Sequence, residues 1–399
     1  MPGVEALIEA FADRILLRPR HDLPNLVDLA GAVARLCGVD LKLTGHAEDM
    51  VEAIGAADHL VLTLADGVGM NMVETLPEDS FLPTHLHSDM LTVFPSTTSV
   101  ALTSLTTAQW PAEHGVMGWW TYLPEMNGVA TILQYTDRGT GADLMKRGID
   151  PERTFPVKSA WSRMTRDGLV VVPERIKDSV YSNYFNGGLK SFGYKSLSEA
   201  VNVVSERVLN ASEPTFTYLY VPRVDSLAHL HGMARPEVLQ ALVELDNELS
   251  RLHSAIGDKG RMVVTADHGL LDATAAQRHT LRPNREIQPL MISPPSGDAR
   301  VMYLPTWSWA GDRMRRYFDR RFGERFAVID LEEAIKLEML GPEPPSDVAM
   351  QRLGNQIAIS TGPDMLEYNA ARGPGRMVQL NCHHSGLTPE EMRIPFIVA

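Results

Sequence analysis

The chain has 399 residues, 44% of them hydrophobic, enough to bury a sizeable core as one large domain or two. Its formal net charge of −13 argues against holding a nucleic-acid backbone by counterion release, and two cysteines, Cys37 and Cys382, are too few for a disulfide framework. No stretch approaches the roughly 18 uninterrupted apolar residues of a membrane span. The first twenty residues alternate charged and apolar side chains without a signal-peptide pattern, so the cytoplasm is the expected compartment.

Apolar spacing predicts helices over Val4–Arg18 and Asn25–Cys37, separated by the break RPRHDLP; with a third helical stretch, AEDMVEAIG, they make residues 1–55 a helical extension. A branched, apolar run, His59–Leu64, then stops at Asp66-Gly67. A buried strand ending in Asp-Gly puts the carboxylate at the strand's carboxyl end, where ligands sit in open α/β sheets. A second short strand, Met90–Phe94, leads through Pro95-Ser96 to Thr97 and Thr98. Behind them, Val100, Ala101, Leu102, Leu105 and Ala108 mark one packed face of a helix ending before Pro111. A hydroxyl at that junction sits where free N–H groups and the helix dipole favour an anion, which suits a nucleophile for phosphorus.

The loop WPAEHGVMGWWTYLPEMNG follows, and its Trp119, Trp120 and Tyr122 fit either a substrate pocket or a local apolar cluster. Residues from about 120 to 210 are the expected pocket-forming region. Thr215–Val221 reads as a strand, followed by Asp225 and His229 four residues apart, a spacing that brings a carboxylate and an imidazole to one side of a helical turn. After a long helix from about Pro236 to Ile256, the strand Met262–Ala266 ends in adjacent Asp267 and His268. The chain closes on His383-His384 ahead of Ser385-Gly386 and a terminal apolar strand.

Each of these pairs is weak alone; together they point to one site. In a parallel α/β sheet the strand ends meet at one edge, so Asp66, Thr98, Asp225, His229, Asp267, His268 and His384 can share one site. Three aspartates and three histidines without a thiolate suit two borderline divalent ions, zinc first and manganese next. The glycines of DGVGMNM lack the full dinucleotide-binding spacing, and no His-Glu-x-x-His motif occurs, so neither a nucleotide cofactor nor a zinc peptidase is indicated.

This order of motifs, from Asp-Gly through the Thr helix with its downstream His-Gly to Asp-x-x-x-His, Asp-His-Gly and a late His before a small-Gly pair, resembles the alkaline phosphatase superfamily, and within it the type I phosphodiesterase and nucleotide pyrophosphatase branch. The resemblance runs from about residue 59 to the C-terminus. It implies a single catalytic domain over residues 1–399 in which a central, mostly parallel sheet is flanked by helices on both faces. It also implies a metal-dependent phosphodiesterase with a Thr nucleophile, two zinc ions and a phospho-threonine intermediate, acting on a small phosphate ester or nucleotide-like substrate. Asp66, Thr98, Asp267 and His268 would surround one ion; Asp225, His229 and His384 would hold the other. Counting back from PAEHG favours Thr98 over Thr97, and the Ser385-Gly386 pair favours His384 over His383.

Two features depart from that pattern. The branch usually carries Asn three residues after the nucleophile, where this chain has Ala101, and the Cys/Ser-x-Pro-x-Arg motif of sulfatases is missing. No cation lies within the motifs, which weighs towards a diester or pyrophosphate over a monoester; Arg223, Arg278 and Lys158 are the available cations by position. Alternatives are a phosphonate hydrolase of the phosphonoacetate type or a phosphomonoesterase on the same metals, and, from another class, a binding protein without catalysis.

Overall fold

Thr215–Val221 and His59–Ala65 are buried at every position, and their apolar, branched and aromatic residues leave no face for water. In the computed structural model, which describes residues 3–369 and 380–399, these strands form the centre of a seven-stranded sheet. Across it the strands run Leu86–Leu91, Arg393–Val398, Gly260–Thr265, His59–Ala65, Thr215–Val221, Asp167–Pro173 and Lys190–Tyr194. Five pair in parallel, while Arg393–Val398 runs antiparallel to both its neighbours. The register sets Ala65 beside Val221 and Leu64 beside Thr265, so the residues after all three strands emerge at one edge.

Helices flank this sheet in two groups. Leu26–Leu36, capped by the Asn25 side chain, packs on Gly45–Ile54 and on Thr98–Thr107; Leu197–Asn210 packs on Pro236–Ile256. The N-terminal segment is therefore part of the core: Leu26, Leu29, Ala30 and Val33 are all buried against it. The first helix stops at Ala12, earlier than the expected Arg18, and Leu7 and Leu16 pack on a second apolar cluster with Phe94, Tyr303 and Ile357.

That second cluster belongs to a feature the motif order does not announce, a further seven-stranded sheet. Its strands run Phe326–Asp330, Gln356–Ser360, Val301–Leu304, Ser296–Gly297, Trp120–Leu123, Gly128–Thr131 and Thr136–Asp137, all antiparallel. Residues 120–210 are consequently divided: 120–137 join this sheet, whereas the strands Asp167–Pro173 and Lys190–Tyr194 complete the main one. No helix among the described residues is long and apolar enough to cross a membrane.

Candidate metal centre and active site

Each predicted ligand leaves the main sheet at the shared edge. Asp66 follows His59–Ala65, and Asp267 with His268 follow Gly260–Thr265. Asp225 and His229 lie one turn apart on the helix Arg223–His231, which starts just after Thr215–Val221, and put Asp225 Oδ1 3.3 Å from His229 Nε2. Thr98 opens the helix Thr98–Thr107, where Thr97 is the cap residue in extended conformation. His384 arrives on the turn before the terminal strand.

Thr97 and Thr98 face different partners. Thr97 Oγ1 donates to Asp298 Oδ2 at 2.8 Å, while Thr98 Oγ1 lies 3.2 Å from His268 Nε2. The neighbouring histidines separate likewise. His384 stacks on His268 with ring centroids 3.6 Å apart, whereas His383 Nε2 donates to Leu380 O at 3.3 Å and burial pushes its pKa down to about 3.

The tautomers follow from simple accounting. His229 Nδ1 lies 2.6 Å from Cys382 O, His268 Nδ1 3.0 Å from Gly269 O, and His384 Nδ1 3.0 Å from Ser96 O. A carbonyl only accepts, so each Nδ1 carries the proton and each Nε2 turns a lone pair into the site. The carboxylates do the same. Asp66 Oδ1, Asp225 Oδ1 and Asp267 Oδ2 are buried and accept no hydrogen bond, yet Asp267 Oδ2 sits 3.2 Å and Asp66 Oδ1 3.7 Å from His268 Nε2. Lone pairs facing lone pairs at these distances, in a buried space, suit a divalent cation as donors. Ligand atoms of Asp66, Asp267 and His268 lie within 4.8 Å of one another, as do those of Asp225, His268 and His384. His268 thus stands between the two groups, and His229 enters through Asp225.

Burial drives the carboxyl of Asp66 well above its usual range, reinforced by the charges of Asp267 and Asp225; a hydrogen bond from the Tyr220 hydroxyl opposes the shift. Asp267 is also raised by burial, with His268 pulling it back and the Gly67 N–H donating to Oδ1 at 3.1 Å. Burial, then the neighbouring His268 and His229, hold His384 well below its ordinary value, in the neutral form that a ligand requires.

A cavity of about 260 Å³, open to solvent at its mouth, begins at Asp66, Thr98 and Asp225. Its walls are largely aromatic and aliphatic, with Trp119, Leu102, Leu133, Tyr181, Phe185 and Tyr218, and Ser179, Ser182 and Asn186 add neutral polar groups. Arg175 is the only cationic side chain lining it among the described residues. The three cations suggested by sequence position lie elsewhere: Arg223 pairs with Glu244 at 3.6 Å, Lys158 contacts Glu152, and Arg278 donates to Ala273 O at 2.8 Å. Trp119 lines the cavity, whereas Trp120 stacks under Arg138 at 3.8 Å and Tyr122 donates to Asn127. Tyr220, Asp298 and Arg175 escape a reading by motif, since each is a single residue in unpatterned or strand context. The alternation in TFTYLYV is the one signal that could have pointed to Tyr220.

The fold and motifs have measured counterparts. A family model described as type I phosphodiesterase / nucleotide pyrophosphatase matches residues 61–291. Among solved structures, human ectonucleotide pyrophosphatase/phosphodiesterase 5 superposes with a TM-score of 0.62 at 14% identity, covering 85% of this chain and 87% of its own. The murine protein, as an inactive threonine-to-alanine variant in complex with AMP, gives 0.61 at 14% identity over 84% and 87%. Phosphonoacetate hydrolase from Sinorhizobium meliloti 1021, in complex with phosphonoformate, gives 0.59 at 18% identity over 85% and 89%. No curated protein sequence matches the chain. At these identities the structures establish the fold, while the family match covers 231 of 399 residues (61 to 291 inclusive). The chain therefore belongs to the type I phosphodiesterase / nucleotide pyrophosphatase family, phosphoester hydrolases of the alkaline phosphatase superfamily.

Proposed function

We propose that the protein is a metal-dependent phosphodiesterase that uses Thr98 as nucleophile and passes through a phospho-threonine intermediate. The observation that carries this reading is the set of unpartnered carboxylate and imidazole lone pairs gathered beside the Thr98 hydroxyl. Asp66, Asp267 and His268, with Thr98 beside them, would hold one cation; Asp225, His229 and His384 would hold the second, with zinc the first choice and manganese the next. Bound there, such ions lower the pKa of an adjacent hydroxyl and neutralise charge on a phosphoryl group.

The chain's own part follows from its geometry. Thr98, at the first position of its helix, attacks phosphorus in line; the bond to the leaving oxygen breaks and that oxygen leaves with a proton. The positive end of the helix dipole faces the phosphoryl charge. Water then cleaves the Thr98 ester. The aromatic cavity takes the organic part of the substrate, and Arg175, its single cation among the described residues, favours a diester or pyrophosphate linkage, whose attacked phosphoryl group carries less charge than that of a monoester. A nucleotide-like substrate is consistent with AMP bound to the murine relative, itself inactive as a threonine-to-alanine variant. Phosphonate hydrolysis is the second reading, favoured by the likeness to phosphonoacetate hydrolase. The second sheet lends Asp298 to Thr97, which supports treating the whole chain as one catalytic domain, with much of the cavity wall drawn from residues 119–186. A cytoplasmic place is part of the proposal, in keeping with two unbridged, buried cysteines.

Initial rates on bis-p-nitrophenyl phosphate, p-nitrophenyl phosphate, a p-nitrophenyl nucleotide diester and phosphonoacetate test this reading, with wild type set against Thr98→Ala. A diester preference that drops about 10³-fold or more in the variant is expected. Preference for phosphonoacetate would move the function to the second reading, and turnover independent of Thr98 would end both.

A further inference from the structure

The turn that carries His384 is held from beneath by an ion pair outside the ligand set. Arg300 Nε and Glu391 Oε1 lie 2.6 Å apart, with side chains only 1% and 0% exposed. Glu391 has other contacts. Oε1 accepts the Gly386 N–H at 2.8 Å, and Oε2 accepts from Thr388 Oγ1 at 2.9 Å. Its backbone carbonyl accepts the N–H of Gly269 at 2.9 Å, beside His268. One residue thus ties the turn after His384 through its side chain and the turn after His268 through its main chain.

Arg300 brings in the second sheet. Its guanidinium donates to Asp364 O at 3.2 Å and to Gly362 O, and its backbone N–H donates to Ser385 Oγ at 3.2 Å. Ser385 needs such support. It sits at φ 94°, a region that a residue with a Cβ occupies only when its surroundings impose it. A Cβ at Gly386 would stand 2.6 Å from Arg300 Nε and 2.7 Å from Glu391 Oε2, so only glycine lets the pair close on the turn. Ser96 completes the frame: Oγ donates to Gly386 O at 2.8 Å, while its carbonyl accepts from His384 Nδ1.

We propose that Arg300 and Glu391 are positioning residues that aim the imidazoles of His384 and His268 and thereby set the affinity of the metal centre. A buried pair is weak evidence of net stabilisation, so its worth here lies in fixing geometry. This inference rests on the metal-centre reading above, and its test keeps the two apart. Zinc affinity is measured by chelator competition, alongside thermal unfolding, for wild type, Glu391→Gln, Arg300→Lys and His384→Ala. Glu391→Gln and Arg300→Lys are each expected to weaken zinc binding about 10–100-fold, with kcat restored at saturating zinc. If both lower the unfolding temperature yet leave zinc affinity unchanged, the pair is merely structural and the proposal falls. Should Glu391→Gln not fold, Arg300→Lys, which keeps both charges, decides alone. Unchanged zinc binding in His384→Ala would instead overturn the metal-centre reading.

Discussion

Asp66 illustrates how single residues set the chemistry. It is 2% exposed and shares its space with Asp225 and Asp267, so without a cation its ionised form is penalised by burial first and by like charge second. The sign of the resulting pH dependence is opposite to that of a salt-bridged carboxylate. A folded-state pKa raised above the unfolded value means that folding takes up a proton, so the metal-free protein loses stability as pH rises above the ordinary carboxylate value through the raised one. Because the buried His383 and His384, held below their ordinary values, act in the opposite sense, the decline is read as the difference in thermal unfolding between chelator-treated wild type and Asp66→Asn from about pH 4.5 to pH 8, and saturating zinc should reverse it, because ligands must be deprotonated to bind. A metal-free wild type that gains stability with pH relative to Asp66→Asn over that window would contradict the assignment. Tyr220 is the main counterweight, its hydroxyl donating to Asp66 Oδ2. Tyr220→Phe removes that donor without changing shape and should weaken zinc about 10–100-fold, read by equilibrium dialysis.

At the scale of elements, the site depends on turns that pass unusually close to one another. A Cβ on Gly269 would lie 1.9 Å from Glu390 O, and one on Gly69 would lie 2.4 Å from the Gly269 Cα. Gly269→Ala must therefore move backbone at the His268 turn; a loss of about 1–3 kcal/mol in urea unfolding is expected, with reduced zinc affinity. The elements around these turns were largely legible in the sequence. Thr215–Val221 and Pro236–Ile256 match their expected limits, because an unbroken apolar run and a long amphipathic period are strong signals. The strand before Thr98 ends at Leu91, not Phe94, since Thr92 turns away to Asp267 and Met392. The antiparallel second sheet was not legible. Its strands are short, and two of them span only two residues, too few for alternation to register. Nor could sequence reveal Arg300 with Glu391, a pair joined across 90 residues by packing alone.

For the whole molecule, parallel register brings three strand ends together, the antiparallel terminal strand returns His384 to the same edge, and the second sheet supplies Asp298 and Arg300 from the other side. The aromatic cavity then opens from the ligands towards solvent. Its sparse positive charge predicts that Arg175→Ala affects KM more than kcat, by several-fold on a charged diester and little on an uncharged-leaving-group analogue, which steady-state kinetics resolves. Whether these lone pairs form a two-cation centre around Thr98 is decided by counting bound ions. Metal-free protein dialysed against buffered zinc should take up about two ions per chain, and His384→Ala and Asp267→Ala should each lower that number. Uptake of no zinc, with the fold intact by circular dichroism, would contradict the claim outright.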